Sequence, residues 1–262
     1  TMLITSEFPL KKKNLHSTNF LKPIVQFRTS PTNGKDISSD DIRLEFDNLF
    51  SHNRIGRSDM VEKGNSLTLG LEFEKHNLAN QKIFGLNFGN ILRDKKNDDL
   101  PSKSKLDLTR SDIVGNLFYK FNNMLDFKYN FSYDRDFNYS NYDALSANYI
   151  SKNLGITVDF INENPDFGDS EIIKSKLRYN FAKNHLINFN TTKDIKDDFT
   201  QFYNLSYTYE TDCLSANFEY NKTFFRDGSV VPDQSLIFLI RFKPFAEIRG
   251  SGDTLVNKYF NE

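Results

Sequence analysis

The run LDFKYNFSYD, residues 125 to 134, sorts its side chains by parity: Leu125, Phe127, Tyr129, Phe131 and Tyr133 are apolar or aromatic, and the residues between them are polar. A period of two means an extended strand with one apolar and one hydrated face. The pattern recurs at 117–121, 154–160, 203–210 and 214–221, and no segment reads convincingly as a helix. About fourteen strands are predicted, near 2–10, 20–29, 41–48, 66–75, 82–92, 109–121, 124–134, 143–151, 154–161, 170–182, 186–192, 200–210, 213–222 and 234–243. Such a chain folds as an antiparallel sheet whose apolar face meets either a protein core or a bilayer.

The connections bear on that choice. Asn122–Asn123, Lys152–Asn153, Lys183–His185 and Thr211–Asp212 are short, whereas Arg135–Tyr142, Asn162–Asp169, Lys193–Phe199 and Thr223–Asp233 are long and polar. Alternate connections of an antiparallel meander fall at opposite ends of the sheet. Tight turns therefore gather at one end and long loops at the other, as in outer-membrane barrels. A soluble sandwich also alternates, but its loops need not segregate by length. Strands of about ten residues, tilted, cover the roughly 25 Å apolar band of such barrels. The polar parity holds Asp126, Lys128, Asp134, Asp159, Lys176, Arg178 and Glu219, which suits a wet lumen. Tyr133, Tyr149, Tyr179, Tyr209 and Tyr220 fall near strand ends, where girdle aromatics belong, although Tyr129 and Tyr207 lie nearer the middle.

Composition agrees. A mean hydropathy of -0.58 with no run of about 18 apolar residues excludes a membrane helix but not half-apolar strands. The 26 Phe and 12 Tyr mean that a large apolar surface is being covered, and 34 basic against 35 acidic residues give no footprint for nucleic acid. The expected fold is an all-β, antiparallel, up-and-down transmembrane β-barrel with strands over 1–243 and a periplasmic tail over 244–262. On that topology Thr211 and Asp212 are periplasmic, the segment Phe50–Asn65 faces outward, and Thr1 starts on the periplasmic side. Thr1 opens with neither a basic nor an apolar leader region, as expected of a processed chain or a piece of a longer one. The single Cys213 cannot form an internal disulfide, and a buried thiol is the plain reading.

The segment NLFSHNRIGRSDMVEKG resembles a signature of the LptD family of outer-membrane LPS-assembly proteins through Asn48, Leu49, Phe50, Ser51, Asn53, Arg54, Asp59, Glu62 and Gly64. Arg57 stands where a Gly is usual, with Gly56 one place early, and Met60 replaces an Arg. Residues 212–242, with a Cys at a turn, an Arg-Asp loop, Pro-Asp and a final strand, are similar to the family's closing hairpin. The resemblance implies the C-terminal part of a larger barrel, in the outer membrane of a Gram-negative cell. It implies lipopolysaccharide as cargo, inserted into the outer leaflet. The implied partners are outer-membrane lipids, a periplasmic transport bridge reached through an N-terminal jellyroll, a plug lipoprotein of the LptE type and the barrel-assembly machinery. It further implies that Cys213 bonds to an N-terminal Cys. The last strand, with Ser235, Leu236, Phe238, Ile240 and Phe242, would be a gate edge or an assembly signal.

No enzyme, cofactor or metal centre is expected. His16, His52, His76 and His185 fall mainly in loops and turns without a recognisable partner, and the acid pairs Asp40–Asp41, Asp98–Asp99 and Asp197–Asp198 read as solvated loop charge. A porin-like diffusion channel is the alternative function.

Overall fold

The computed structural model describes residues 1–31, 35–57, 62–165, 168–224 and 233–243, together with the backbone of 246–251. The chain divides into two compact units, Thr1–Leu145 with Asn162–Asp169, and Ser146–Ile161 with Ser170–Glu262.

The first unit contains β1 (Met2–Glu7), β2 (Leu10–Lys13), β3 (Ser17–Ser30), a helical turn α1 (Phe46–Leu49), β4 (Gly64–Asn77), β5 (Lys82–Arg93), β6 (Ile113–Lys120), β7 (Leu125–Tyr133) and the start of β8 (Ser140–Ile150). Its sheet runs β1-β3-β4-β5-β6-β7, with β2 also on β3. The second unit takes the rest of β8, most of β9 (Leu154–Glu163), then β10 (Glu171–Ala182), β11 (His185–Asp194), β12 (Phe199–Glu210), β13 (Leu214–Thr223), β14 (Asp233–Phe242) and β15 (Ala246–Ser251). From β10 to β15 each strand pairs antiparallel with the next. The architecture is thus all-β, antiparallel and up-and-down, and among the described residues no helix is long and apolar enough to cross a membrane.

Register keeps the parities on separate faces. In the second unit Leu177 faces Phe189, Phe189 faces Leu205, Leu205 faces Tyr220 and Tyr220 faces Leu236. The aromatic rings of this face meet each other, with Phe218 and Phe238 4.7 Å apart and Tyr207 and Phe218 6.4 Å apart. Leu205 is nevertheless 47 % and Phe218 46 % exposed. An apolar face packed into a protein core would be covered; this one is open, as a lipid-facing wall requires.

Several expectations need correction. Residues 41–48 are not a strand. They belong to a segment, 35–57, that folds onto the polar-parity face of the first unit. There Ile37, Leu44, Phe46, Leu49 and Ile55 build a small core with Ile91 of β5, Val114 of β6, and Leu100 and Leu106 of the 94–112 connection. Those apolar residues are spent on a covering loop, so their alternation is not that of a wall strand, and this part of the polar face is dry. Removing one strand shifts the topology: Met2 pairs with Thr29, so Thr1 lies at the end of the long connections 31–63 and 94–112 and not at the tight-turn end. The β11–β12 connection, 195–198, is short. At the β6–β7 turn Asn122 acts through its side chain, its Oδ1 accepting from the N–H of Met124 (2.7 Å) and of Leu125 (2.8 Å). In the β10–β11 turn Asn184 takes a positive φ of 74°. Within the expected tail, 246–251 pair antiparallel with Ile237–Phe242, so a strand stands where none is predicted.

The two faces predict opposite responses to charge. Leu205→Arg puts a guanidinium on the apolar face and is expected to destabilise the protein in bilayers by about 2–4 kcal/mol. Thr208→Arg, on the other face of the same strand, should cost about 0.5 kcal/mol. Equilibrium denaturation in lipid vesicles measures both.

Candidate functional site

The stretch from Asn48 to Gly64 is clamped onto the sheet by its own sequence. Glu45 and Asn48 form a reciprocal cap on α1: the Glu45 side chain accepts from the Asn48 backbone, and Asn48 Oδ1 accepts from the Glu45 N–H at 3.0 Å. That turn points Phe46 and Leu49 at the wall. Where they land, β4 and β5 present Gly70 opposite Gly89, leaving a shallow notch free of side chains. A Cβ on Gly89 would lie 2.5 Å from the Leu69 carbonyl oxygen and 2.7 Å from Leu49 Cδ2, and one on Gly70 would run into the Phe50 ring. The notch is what lets Leu49 become fully buried and Phe50 settle against the sheet.

Polar anchors flank the notch. Gln26 Nε2 donates to the Phe50 carbonyl (2.8 Å), and the Arg28 guanidinium donates to the carbonyls of Ser51 (2.5 Å) and His52 (2.8 Å). Ser51 Oγ accepts from the Asn53 N–H at 3.2 Å, and Asn53 Nδ2 donates to the Arg57 carbonyl at 2.8 Å. Arg54 makes the deepest contact: its Nε and Nη2 grip both oxygens of Glu62, while Nη1 reaches Thr68 Oγ1 at 3.0 Å and Nη2 reaches Ser66 Oγ at 2.9 Å. Arg93 Nη1 shares the same Glu62 oxygen, and its Nη2 donates to the Lys63 carbonyl at 2.5 Å. Gly64 follows with φ of 100°, a conformation suited to glycine, and turns the chain into β4.

Burial alone would raise the Glu62 carboxyl, but the charge and hydrogen bonds of Arg54, with Arg93 and Arg28, outweigh it and hold the group below its ordinary 4.5. The second connection is tied in through Asp112. Its Oδ2 accepts from Asn141 Nδ2 (2.7 Å) and Ser132 Oγ (3.1 Å), its N–H donates to the Ser104 carbonyl (2.9 Å), and Ser104 Oγ accepts from the Leu44 N–H (3.1 Å). Burial pushes the Asp112 carboxyl up from 3.8 to about 6 despite those donors.

Of the signature residues, Asn48, Leu49, Phe50, Ser51, Asn53, Arg54, Glu62 and Gly64 are thus brought into one assembly, and Asp59 lies outside the described residues. Sequence reading missed Arg28, Gly70, Gly89 and Arg93. The signal was available: two glycines and two arginines on the inward parity of otherwise regular strands. Cys213 is an exposed thiol at the β12–β13 turn, not a buried one. Along β14, Ser235 and Leu236 pair with Asn221 and Tyr220 of β13, while Phe238, Ile240 and Phe242 have β13 on one side and β15 on the other, so this strand is not a free edge. Two histidines do have partners: His76 Nε2 lies 2.8 Å from Glu74 Oε2, and His185 Nδ1 lies 2.8 Å from the Tyr207 hydroxyl. The loop acids Asp40 and Asp198 pair with Arg57 and Lys193. Among the described residues no group of three or more His, Cys, Asp or Glu is placed to hold a metal ion.

On the second unit the polar face stays open. A groove of about 580 Å³ runs over β9 to β12, lined by Lys176, Arg178, Asn188, Asn190 and Ser206 with the β8–β9 turn. Within the lining Asn188 Nδ2 donates to Ser206 Oγ (3.2 Å), and the amide network runs on beyond it: Asn190 Nδ2 donates to Asn204 Oδ1 (3.2 Å), and Asn204 Nδ2 to Asn221 Oδ1 (2.5 Å) and to Glu219 Oε1 (2.8 Å).

Glu62→Gln leaves two buried guanidiniums without a counter-charge and is expected to cost about 3–5 kcal/mol, read as increased protease cleavage within 35–57. Gly89→Ala should cost about 1–3 kcal/mol by overpacking on the same readout. Asp112 has its folded pKa raised, so its stabilising contribution is complete below 3.8 and is lost as pH rises to about 6. Asp112→Asn should flatten the stability profile across that window. Glu62, with its pKa lowered, acts in the opposite sense, its contribution being lost only as pH falls below 4.5.

A family model described as "LptD: LPS transport system D" matches residues 2–167. No curated protein matches the chain. Among solved structures, engineered variants of the porin of Rhodopseudomonas blastica resemble it at low identity. A triple mutant of that porin aligns at 8 % identity over 95 % of this chain and 93 % of that one, with a TM-score of 0.39. A second variant gives the same identity and coverage at a TM-score of 0.38.

Proposed function

We propose, for a chain that belongs to the LptD family of LPS transport proteins and so to the outer membrane, that it forms the C-terminal wall of a translocon delivering lipopolysaccharide to the outer leaflet. The observation carrying this reading is that the family match spans the clamped segment: Arg54, Glu62 and the Gly70–Gly89 notch all fall within residues 2–167. An open apolar face and a hydrogen-bonding polar face suit a cargo with acyl chains on one side and sugars on the other. In this reading the sugars track the polar face. The acyl chains leave sideways past β14, whose Leu236, Phe238 and Ile240 alternate with Ile237 and Leu239 to make both faces apolar, with β15 as its displaceable neighbour.

The tight-turn end then faces the periplasm, which places the exposed Cys213 in an oxidising compartment. Its partner is a cysteine of an N-terminal periplasmic domain, through which the transport bridge delivers cargo. A plug lipoprotein and the barrel-assembly machinery complete the set of partners.

Depleting the protein in its host should strip lipopolysaccharide from the cell surface and accumulate it inside; unchanged surface lipopolysaccharide would sink the proposal. Steady open pores from the purified full-length protein in planar bilayers would instead support a diffusion channel. Cys213→Ser in the full-length chain should abolish a mobility difference between reducing and non-reducing gels.

A further inference from the structure

We infer that the groove on β9 to β12 is a binding subsite for a phosphorylated oligosaccharide, with Lys176 and Arg178 as the anion-binding pair. This rests on the export reading for where such a sugar would come from.

Lys176 and Arg178 are two positions apart on β10, so their side chains stand on one face about 7 Å apart. Both are exposed. Across the strand boundary Lys176 faces Asn190 and Arg178 faces Asn188, and these face Asn204 and Ser206 in turn. Each cation therefore heads a row of neutral hydrogen-bonding groups running across the sheet. Two basic side chains of the second unit are tied to acids, Lys193 to Asp198 and Lys243 to Glu210, and Lys152 of the β8–β9 turn adds a third cation to the groove lining. Lys176 and Arg178 have no acidic partner among the described residues, and the groove lining includes no carboxylate. The nearest acid along the rows, Glu219, is three strands from Arg178, about 14 Å, and is occupied by Asn204 and Asn221.

The ligand chemistry follows from this inventory. A guanidinium and an ammonium without a counter-ion select an anion, and the guanidinium fork matches phosphate oxygens in a bidentate manner. The amides and the serine offer both donors and acceptors, which suits sugar hydroxyls, beside the apolar Ile150, Leu154, Ile156 and Leu177 that also line the groove. The volume, about 580 Å³, lies within the usual range for a small-molecule site. Gly155 keeps the groove open beside Arg178: a Cβ there would meet only the Arg178 Cβ, at 3.8 Å, so the backbone accepts a side chain that would fill the space. The groove on the first unit is a poorer candidate, because its Lys82 is held by Glu74 at 2.7 Å and Asp47 lies in its lining.

The test uses the full-length protein in detergent and four probes: a bisphosphorylated glucosamine disaccharide, the same disaccharide without phosphates, inorganic phosphate, and phosphatidylglycerol in mixed micelles. Calorimetry should show the bisphosphorylated disaccharide binding best, with affinity falling as salt is raised. Lys176→Gln with Arg178→Gln should weaken it by about tenfold or more, and Lys12→Gln with Lys13→Gln on β2 should leave it unchanged. Gly155→Leu, which retains both charges, should weaken the disaccharide and spare inorganic phosphate. Equal binding of the unphosphorylated disaccharide, of inorganic phosphate or of phosphatidylglycerol, or wild-type affinity in the Lys176/Arg178 variant, would overturn the assignment. Surface lipopolysaccharide after depletion is read separately, so failure of the subsite and failure of the export reading are distinguishable.

Discussion

One carboxylate, Glu62, holds the first unit together. It faces Arg54 from the covering segment and Arg93 from the wall, so removing it would set both buried guanidiniums against each other. A buried ion pair contributes little net stability compared with an apolar replacement, but losing one partner is expensive. Its value here is positional. An apolar contact at the same place would let the 35–57 segment slide along the sheet; a bidentate pair with hydroxyls from Ser66 and Thr68 admits one placement. The notch, the small core and the tie through Asp112 all presuppose that placement.

The two units treat the same alternation differently. In the first, the polar parity of β4 to β6 is covered, and apolar exceptions such as Ile91 and Val114 mark where the cover lies. In the second, the parity is kept clean and the face is open, with amide side chains pairing across strands in place of a protein lid.

Period two made the strands from β4 to β14 legible in the sequence, because Leu125 to Tyr133 and its repeats obey a rule set by backbone geometry alone. The same rule misled at 41–48, where Ile42, Leu44, Phe46 and Leu49 are apolar for the sake of a loop core. Periodicity does not record whether a partner strand exists. It was silent on Gly70 and Gly89, whose role depends on being opposite one another across a strand pair. The signature residues Arg54 and Glu62 were marked by resemblance, but their third partner Arg93 lies thirty-one positions from Glu62 in the chain and only register brings it near. The clean face of β10 to β13 was legible as polar, whereas its lack of acids beside Lys176 and Arg178 emerged only once the rows were aligned.

The paired glycines also bear on how the wall assembles. A slip of one residue between β4 and β5 would turn Phe88 or Asn90 toward the place where Leu49 now sits, and the covering segment would find no seat. The seat for that segment therefore exists only at the native alignment of β4 and β5, and each locks the other's position.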